Sequence, residues 1–214
     1  MGISRRAADD FITKGKVTIN GEPAVLGVQV SETDQVAVDG KIVATDTEYL
    51  YLMLNKPVGY VSSRRSQGDN PTLYELVPQK YHHLKPVGRL DRDSSGLIIL
   101  SNDGDFAFRM THPQFHKSKI YKVNLDRDLE PLHQQMINDY GIKLEDGVSK
   151  LTLERISDDD RRGWRVIMSE GRNRQIRRTF TALGYTVKKL HRTDFGAYSL
   201  GELKPGEFQL EKML

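Results

Sequence analysis

Four charged residues crowd a short loop ahead of an apolar run: in "GRLDRDSSGLIILSNDG" (88–104), Arg89, Asp91, Arg92 and Asp93 precede "LIIL". An aspartate in a polar loop is by type a turn former or a cap. Here the context argues for more. Asp91 follows an apolar Leu90 and stands between arginines, which hold a carboxylate ionised and oriented, as a nucleophile or base requires. A buried strand behind it would supply a rigid platform.

A second constellation, "EGRNRQIRR" (170–178), reads as a helix start with Asn173 as N-cap. Arg174, Arg177 and Arg178 then share one face at i, i+3 and i+4 in the first turns, where cations oppose the helix dipole. A merely solvated face would mix in glutamates. This one has none, which points to binding of phosphate or carboxylate groups. A third feature is Tyr121 in "HKSKIYKV", framed by Lys117, Lys119 and Lys122. A strand tyrosine is most often core, but basic residues around an aromatic also suit a groove in which a base stacks. Together the three point to a protein acting on RNA or DNA, with an acid at its site. The competing chemistries have no support: there is no phosphate-binding glycine-rich motif and no Ser-His-Asp signature.

Composition narrows the classes further. The chain has 214 residues, 37% hydrophobic and 29% charged, which is ordinary for a folded protein. It contains no cysteine, so disulfides, thiolate metal sites and thiol nucleophiles are excluded. The six histidines form no pair at metal-ligand spacing; the adjacent His82 and His83 diverge on any regular element. The net charge of +3 is too small by itself to demand a polyanionic partner. No apolar run approaches the ~20 residues of a membrane span, and "MGISRRAADDF" lacks a signal-peptide core, so a cytoplasmic protein without membrane contact is expected.

These residues need elements to position them. Ser4 reads as the N-cap of a helix carrying Ala7, Ala8, Phe11 and Ile12 on one face and ending at Gly15. "KVTIN", "QVAVDG" and "KIV" follow as short strands with turns at Asn20-Gly21 and Asp39-Gly40. This gives a small module over 1–43, a polar linker over 44–48 and a larger domain over 49–214. In that domain "YLYLMLNKP", "LIILSNDG", "KIYKVNL" and "GWRVIMSEG" read as strands, and "DLEPLHQQMINDYG" as a helix ended by Gly141. From Asn173, Ile176, Phe180 and Leu183 recur at helical spacing up to Gly184. The fold class is α+β, with a mixed, largely antiparallel sheet.

In order along the chain, "NKPVGYVSS", "GRLDRDSSGLIILSNDGD", "KIYKV", "EGRNRQIRR" and "VKKLHRTDFG" resemble the RsuA/RluB/RluE/RluF family of bacterial ribosomal RNA pseudouridine synthases over 49–214. Residues 3–43 are similar to the S4 RNA-binding module, with that module's first helix missing. The resemblance implies a pseudouridine synthase fold behind a small S4-like domain. It also implies isomerisation of a uridine: the N1–C1′ bond is cut, the base turns, and C5 bonds to C1′. It puts the catalytic aspartate at Asp91 and a base-stacking tyrosine that assists C5 proton removal at Tyr121. It puts the arginine pairing with Asp91 at Arg177 and an apolar residue beside the base at Leu190. No cofactor or metal is implied.

The partner implied is ribosomal RNA or a ribosomal subunit precursor, bound by a monomer. The candidate RNA-contacting cations are Arg5, Arg6, Lys14 and Lys16 in the module and Lys56, Arg89, Arg92, Lys119, Arg172, Arg174 and Arg178 in the larger domain. Two rivals are weaker. A non-catalytic ribosome assembly factor would not need Asp91, Tyr121 and Arg177 together. A metal-independent nuclease would want an acid–base couple such as a histidine pair.

Overall fold

The computed structural model describes residues 3, 5–31, 33–43, 48–64 and 68–212. The Ser4 cap, the side chain of Arg5 and linker positions 44–47 lie outside the described residues. The chain divides into two compact units, Met1–Glu48 and Tyr49–Leu214.

In the first unit α1 (Arg5–Thr13) precedes a small sheet of β1 (Val17–Ile19), β2 (Glu22–Pro23), β3 (Val36–Val38) and β4 (Lys41–Ile42), in the order β2-β1-β3-β4. Both tight turns have the backbone their sequence demands. Asn20 and Gly21 have φ of 51° and 89°, and Asp39 and Gly40 have φ of 48° and 76°. Two successive left-handed residues match the twist of a hairpin, and Asn, Asp and Gly adopt that region most readily.

The second unit is built on β5 (Tyr51–Lys56), β6 (Lys85–Val87), β7 (Ser95–Ser101), α2 (Gly104–Thr111), β8 (Lys119–Leu125) and α3 (Pro131–Gln135). Then come β9 (Ile142–Leu144), β10 (Gly147–Ser149), β11 (Thr152–Arg155), β12 (Gly163–Met168), α4 (Gln175–Ala182), β13 (Val187–Phe195), β14 (Tyr198–Ser199) and β15 (Phe208–Glu211). Seven strands run β11-β12-β8-β13-β7-β5-β15 through one sheet, with β14 and β6 attached to β13 and β7. All pairings are antiparallel except β13 with β7. Among the described residues, no helix is long and apolar enough to cross a membrane.

The continuous apolar runs follow from burial on both faces of this sheet. Leu52, Leu54, Ile98 and Leu100 enter one core with Trp164, Phe180 and Tyr121. Their neighbours Tyr51, Met53, Leu97 and Ile99 enter a second core with Phe106, Phe195 and Tyr198. α3 passes into a wider turn over Met136–Tyr140, and Gly141 ends it at φ 78°.

The single parallel junction depends on Gly96. Its φ is +106°, and a Cβ there would lie 2.1 Å from the Arg192 carbonyl oxygen. Backbone meets backbone, so no rotamer change can relieve the clash. Gly96→Ala is therefore expected to cost about 3 kcal/mol or more, through strain and overpacking together. Urea unfolding measures this, and a loss below about 1 kcal/mol would show that β7 and β13 can separate locally.

Candidate active site

Asp91 and Asp93 lie in the turn between β6 and β7, and three contacts fix that turn. Ser62 Oγ donates to the Leu90 carbonyl at 2.8 Å and accepts from the Leu90 amide at 3.2 Å. The Gly59 amide donates to the Arg92 carbonyl at 2.7 Å, and the Ser94 amide closes the turn on the Asp91 carbonyl at 3.0 Å. Behind them Leu97, Ile98, Ile99 and Leu100 are fully buried, so the platform expected behind Asp91 is present.

The arginine-rich segment docks on this loop from the other side. α4 starts at Gln175, with Arg174 rather than Asn173 at the N-cap, in left-handed backbone at φ 47°. From there Arg174 makes a two-pronged bond to Asp93, at 2.9 and 2.8 Å, and reaches Asp91 Oδ2 at 3.5 Å. Arg177 does not pair with Asp91, against the expectation. It sits one turn into the helix, where Nη2 donates to the Asp93 carbonyl at 2.7 Å and Nη1 to the Val187 carbonyl at 2.8 Å; Nε lies 3.2 Å from Asp93 Oδ2. Asp93 is thus the acceptor for both arginines, through its carboxylate for Arg174 and its carbonyl for Arg177. The Arg174 hydrogen bond holds its carboxyl below the usual range, against the opposing effect of burial.

The other arginines of the segment are committed to the protein. Arg178 makes a two-pronged bond to Asp146 at 3.0 and 2.7 Å. Arg172 reaches Asp146 at 2.9 Å and the Val148 carbonyl at 2.9 Å. Carboxylate pairing is thus met at this helix start: Arg172 and Arg178 clasp the β9–β10 turn through Asp146.

Lys56 also departs from its expected role. It is fully buried, donating to the carbonyls of Pro57 and Tyr60 at 3.0 and 2.8 Å, and cannot touch RNA. Burial depresses its pKa to about 8, partly offset by Asp91 and Asp93. Arg92 is exposed and donates to Asn70 at 2.6 Å. In the first unit Arg6 and Lys14 are exposed and Lys16 pairs with Asp39 at 3.3 Å.

A cavity of about 580 Å³ opens beside the loop. Asp91, Tyr121, Leu190 and Arg174 line it, so three of the four expected catalytic residues share one hollow and Arg177 stays outside it. Tyr121 and Leu190 are both 8% exposed, on the neighbouring strands β8 and β13. Five basic side chains (Arg89, Lys119, Arg172, Arg174, Arg192) line it against two acidic ones, Asp91 and Glu170. Such a hollow favours an anionic ligand. Sequence reasoning missed Arg192. It reads as one more cation in "HRTDFG", and only the recognition of a central strand there would have flagged it as buried.

A cation-rich hollow with a half-buried carboxylate at its edge and Tyr121 and Leu190 in its wall suits an enzyme that acts on a single base of a polyanion. A sequence model of the RNA pseudouridylate synthase family matches residues 50–182, and one of the S4 domain matches residues 1–36. The chain is 34% identical over 209 residues to ribosomal large subunit pseudouridine synthase B of Bacillus subtilis, covering 95% of this chain and 85% of that one. It is 37% identical over 210 residues to an RNA pseudouridine synthase of Mycobacterium leprae, covering 95% and 82%. A crystal structure of a pseudouridylate synthase matches with a TM-score of 0.72 at 32% identity, over 99% of this chain and 91% of that one. The chain belongs to the RNA pseudouridylate synthase family and carries an S4 domain.

The buried Lys56 gives a pH dependence of known sign. Its folded pKa, about 8, lies below the ordinary 10.5, so between these values the unfolded chain binds more protons. Stability contributed by this group therefore rises with pH across that window, by on the order of 3 kcal/mol in full. Denaturant unfolding at pH 7.5 and pH 10 should show wild type gaining relative to Lys56→Met. Parallel behaviour of the two proteins would mean that the ammonium is solvated.

Proposed function

We propose that this protein converts a specific uridine of ribosomal RNA to pseudouridine, with Asp91 as the catalytic carboxylate. The observation that carries the reading is the convergence of Asp91, Tyr121 and Leu190 on one cation-rich hollow, from a loop and two strands. The ribosomal substrate is suggested by the Bacillus subtilis relative, whose name specifies the large subunit. Tyr121 stacks on the flipped base and assists loss of the C5 proton, and Leu190 packs against the ring edge. Arg174 reaches Asp91 and orients it, and Arg177 positions the loop through Asp93. Arg89, exposed at the hollow, is the RNA-facing cation of the domain, with Arg6 and Lys14 contributing from the S4 domain, while Lys119 faces the base inside the hollow rather than the RNA backbone. Acting on ribosomal RNA or a subunit precursor, the protein would work in the cytoplasm as a monomer.

Tritium release from 5-tritiated uridine in unmodified bacterial ribosomal RNA tests this directly. Wild type should release tritium, and Asp91→Asn should lose the activity by a factor of about 10³ or more, since the amide retains the shape but not the charge. Equal release from both proteins would remove Asp91 from the chemistry. Release from neither, on intact RNA or on precursors, would favour a binding role in ribosome assembly.

A further inference from the structure

Of the five cations lining the hollow, Arg172 and Arg174 are matched by carboxylates, while the exposed Arg89 and the more buried Lys119 and Arg192 are not. Among the described residues, no ion pair joins Lys119 or Arg192 to an acid. Arg192 is only 2% exposed, and its Nη2 is buried with no hydrogen-bond partner, while Nε donates to the Leu97 carbonyl at 2.8 Å. Its guanidinium lies 4.7 Å from the centroid of the Phe195 ring, and Lys119 Nζ lies 5.3 Å from the same centroid. Lys119 Nζ also donates to the Glu170 carbonyl at 3.3 Å, while the Glu170 carboxylate itself bonds Arg172 and Gln175. Burial, and then the charge of Arg192, press the Lys119 ammonium toward its neutral form. A buried guanidinium and a part-buried ammonium set over the same ring are costly unless an anion joins them. Cation–π contact with Phe195 offsets only part of that cost.

We infer that Lys119 and Arg192 form a subsite for the anionic form of the uracil ring, holding its carbonyl oxygens while the base is detached from the sugar. The inference rests on the isomerase reading above and extends it to the departing base. Heterolysis of the N1–C1′ bond leaves the bonding pair on N1, so the free ring is a uracil anion whose charge is shared by N1, O2 and O4. The electron-deficient C1′ is taken up by the Asp91 carboxylate. After rotation C5 attacks C1′ and displaces that carboxylate, the C5 proton is lost, and N1 gains one. No other reactant is consumed.

Placement favours the ring over a backbone phosphate. Arg192 stands directly across from Tyr121 in the β13–β8 pairing, and both line the hollow with Leu190 and Lys119. A ring stacked on Tyr121 therefore presents its oxygens to this wall, whereas a phosphodiester keeps to the open rim. A ring that turns over must exchange N1 for C5 at the sugar, and two donors can follow the oxygens through that motion. Preorganised donors aimed at developing charge lower a barrier without reorganising.

The test is single-turnover conversion at saturating RNA, together with RNA affinity as a function of salt. Arg192→Gln and Lys119→Gln should each slow conversion by roughly 100-fold, the size typical for loss of one oxyanion donor. RNA affinity should change less than about threefold, with an unaltered salt slope. Lys119→Gln guards against a folding artefact, because Lys119 holds the sheet by only one long hydrogen bond from its side chain. The same transcripts carrying 5-fluorouridine give the second readout. Fluorine stabilises the departing anion, so each variant's defect should shrink by at least about threefold relative to uridine. An unchanged rate, or an equal defect on both substrates, would overturn the inference. So would preserved turnover with weaker binding and a salt slope reduced by about one, the mark of a phosphate contact. If wild type itself leaves uridine intact, the isomerase reading fails first and this inference with it; active wild type with unaffected variants overturns this inference alone.

Discussion

The Asp93 carboxylate, shared by two arginines, is the contact on which the rest of the site depends. Asp93 belongs to the loop that carries Asp91, and Arg174 and Arg177 belong to the start of α4, more than 80 positions away along the chain. Ser62, Gly59 and the Ser94 amide hold the main chain of the Asp91 turn, but none of them joins it to the helix. The bonds to Asp93 fix loop and helix together, and through Val187 they also register α4 against the first residue of β13. β13 in turn carries Leu190 and Arg192 to the opposite wall. A surface ion pair is ordinarily worth little, but a two-pronged bond backed by a second arginine orients the groups it joins. Orientation is what a carboxylate nucleophile needs most.

This arrangement explains why a segment so rich in arginine serves structure before substrate. Arg172 and Arg178 converge on Asp146 and tie the β9–β10 turn to the start of α4. Arg174 and Arg177 converge on Asp93. A cluster of free guanidinium groups at a helix start would repel itself and oppose the helix dipole. Two aspartates, one on each side, remove that penalty and leave a stiff frame. The positive potential of the hollow then comes from groups outside the segment, Arg89 at the rim and Lys119 and Arg192 within.

Much of this was legible in the residues. The buried strands at 51–56 and 95–101, the mixed α+β sheet and the hairpin turns of the small module all follow from local pattern. Each is governed by periodicity or by the backbone preferences of Asn, Asp and Gly. The pairing of arginines with carboxylates was not legible, because it depends on which of several aspartates a fold brings within 3 Å. Arg177 was matched to Asp91 when its partner is Asp93, two residues away. Lys56 was taken for an RNA contact because a lysine after a strand is normally at the surface. In fact the turn at Pro57–Tyr60 folds back over it and supplies two carbonyls. Arg192 was overlooked for the same reason: a charged residue in a polar-looking stretch gives no sign that its strand runs through the middle of a sheet.

Burial therefore separates the charges of this protein into two kinds. Those matched inside the chain, at Asp93 and Asp146, fix geometry and would do so whether or not RNA were bound. Those left unmatched are the informative ones, since a folded chain keeps an uncompensated buried cation only at a cost to its own stability. Lys56 meets that cost with carbonyl oxygens and a pKa brought down to about 8. Arg192 has no such escape, because a guanidinium stays charged at any pH the fold survives. Its place across from Tyr121, at the wall that a flipped ring would face, makes the compensating group a feature of the reaction rather than of the resting protein.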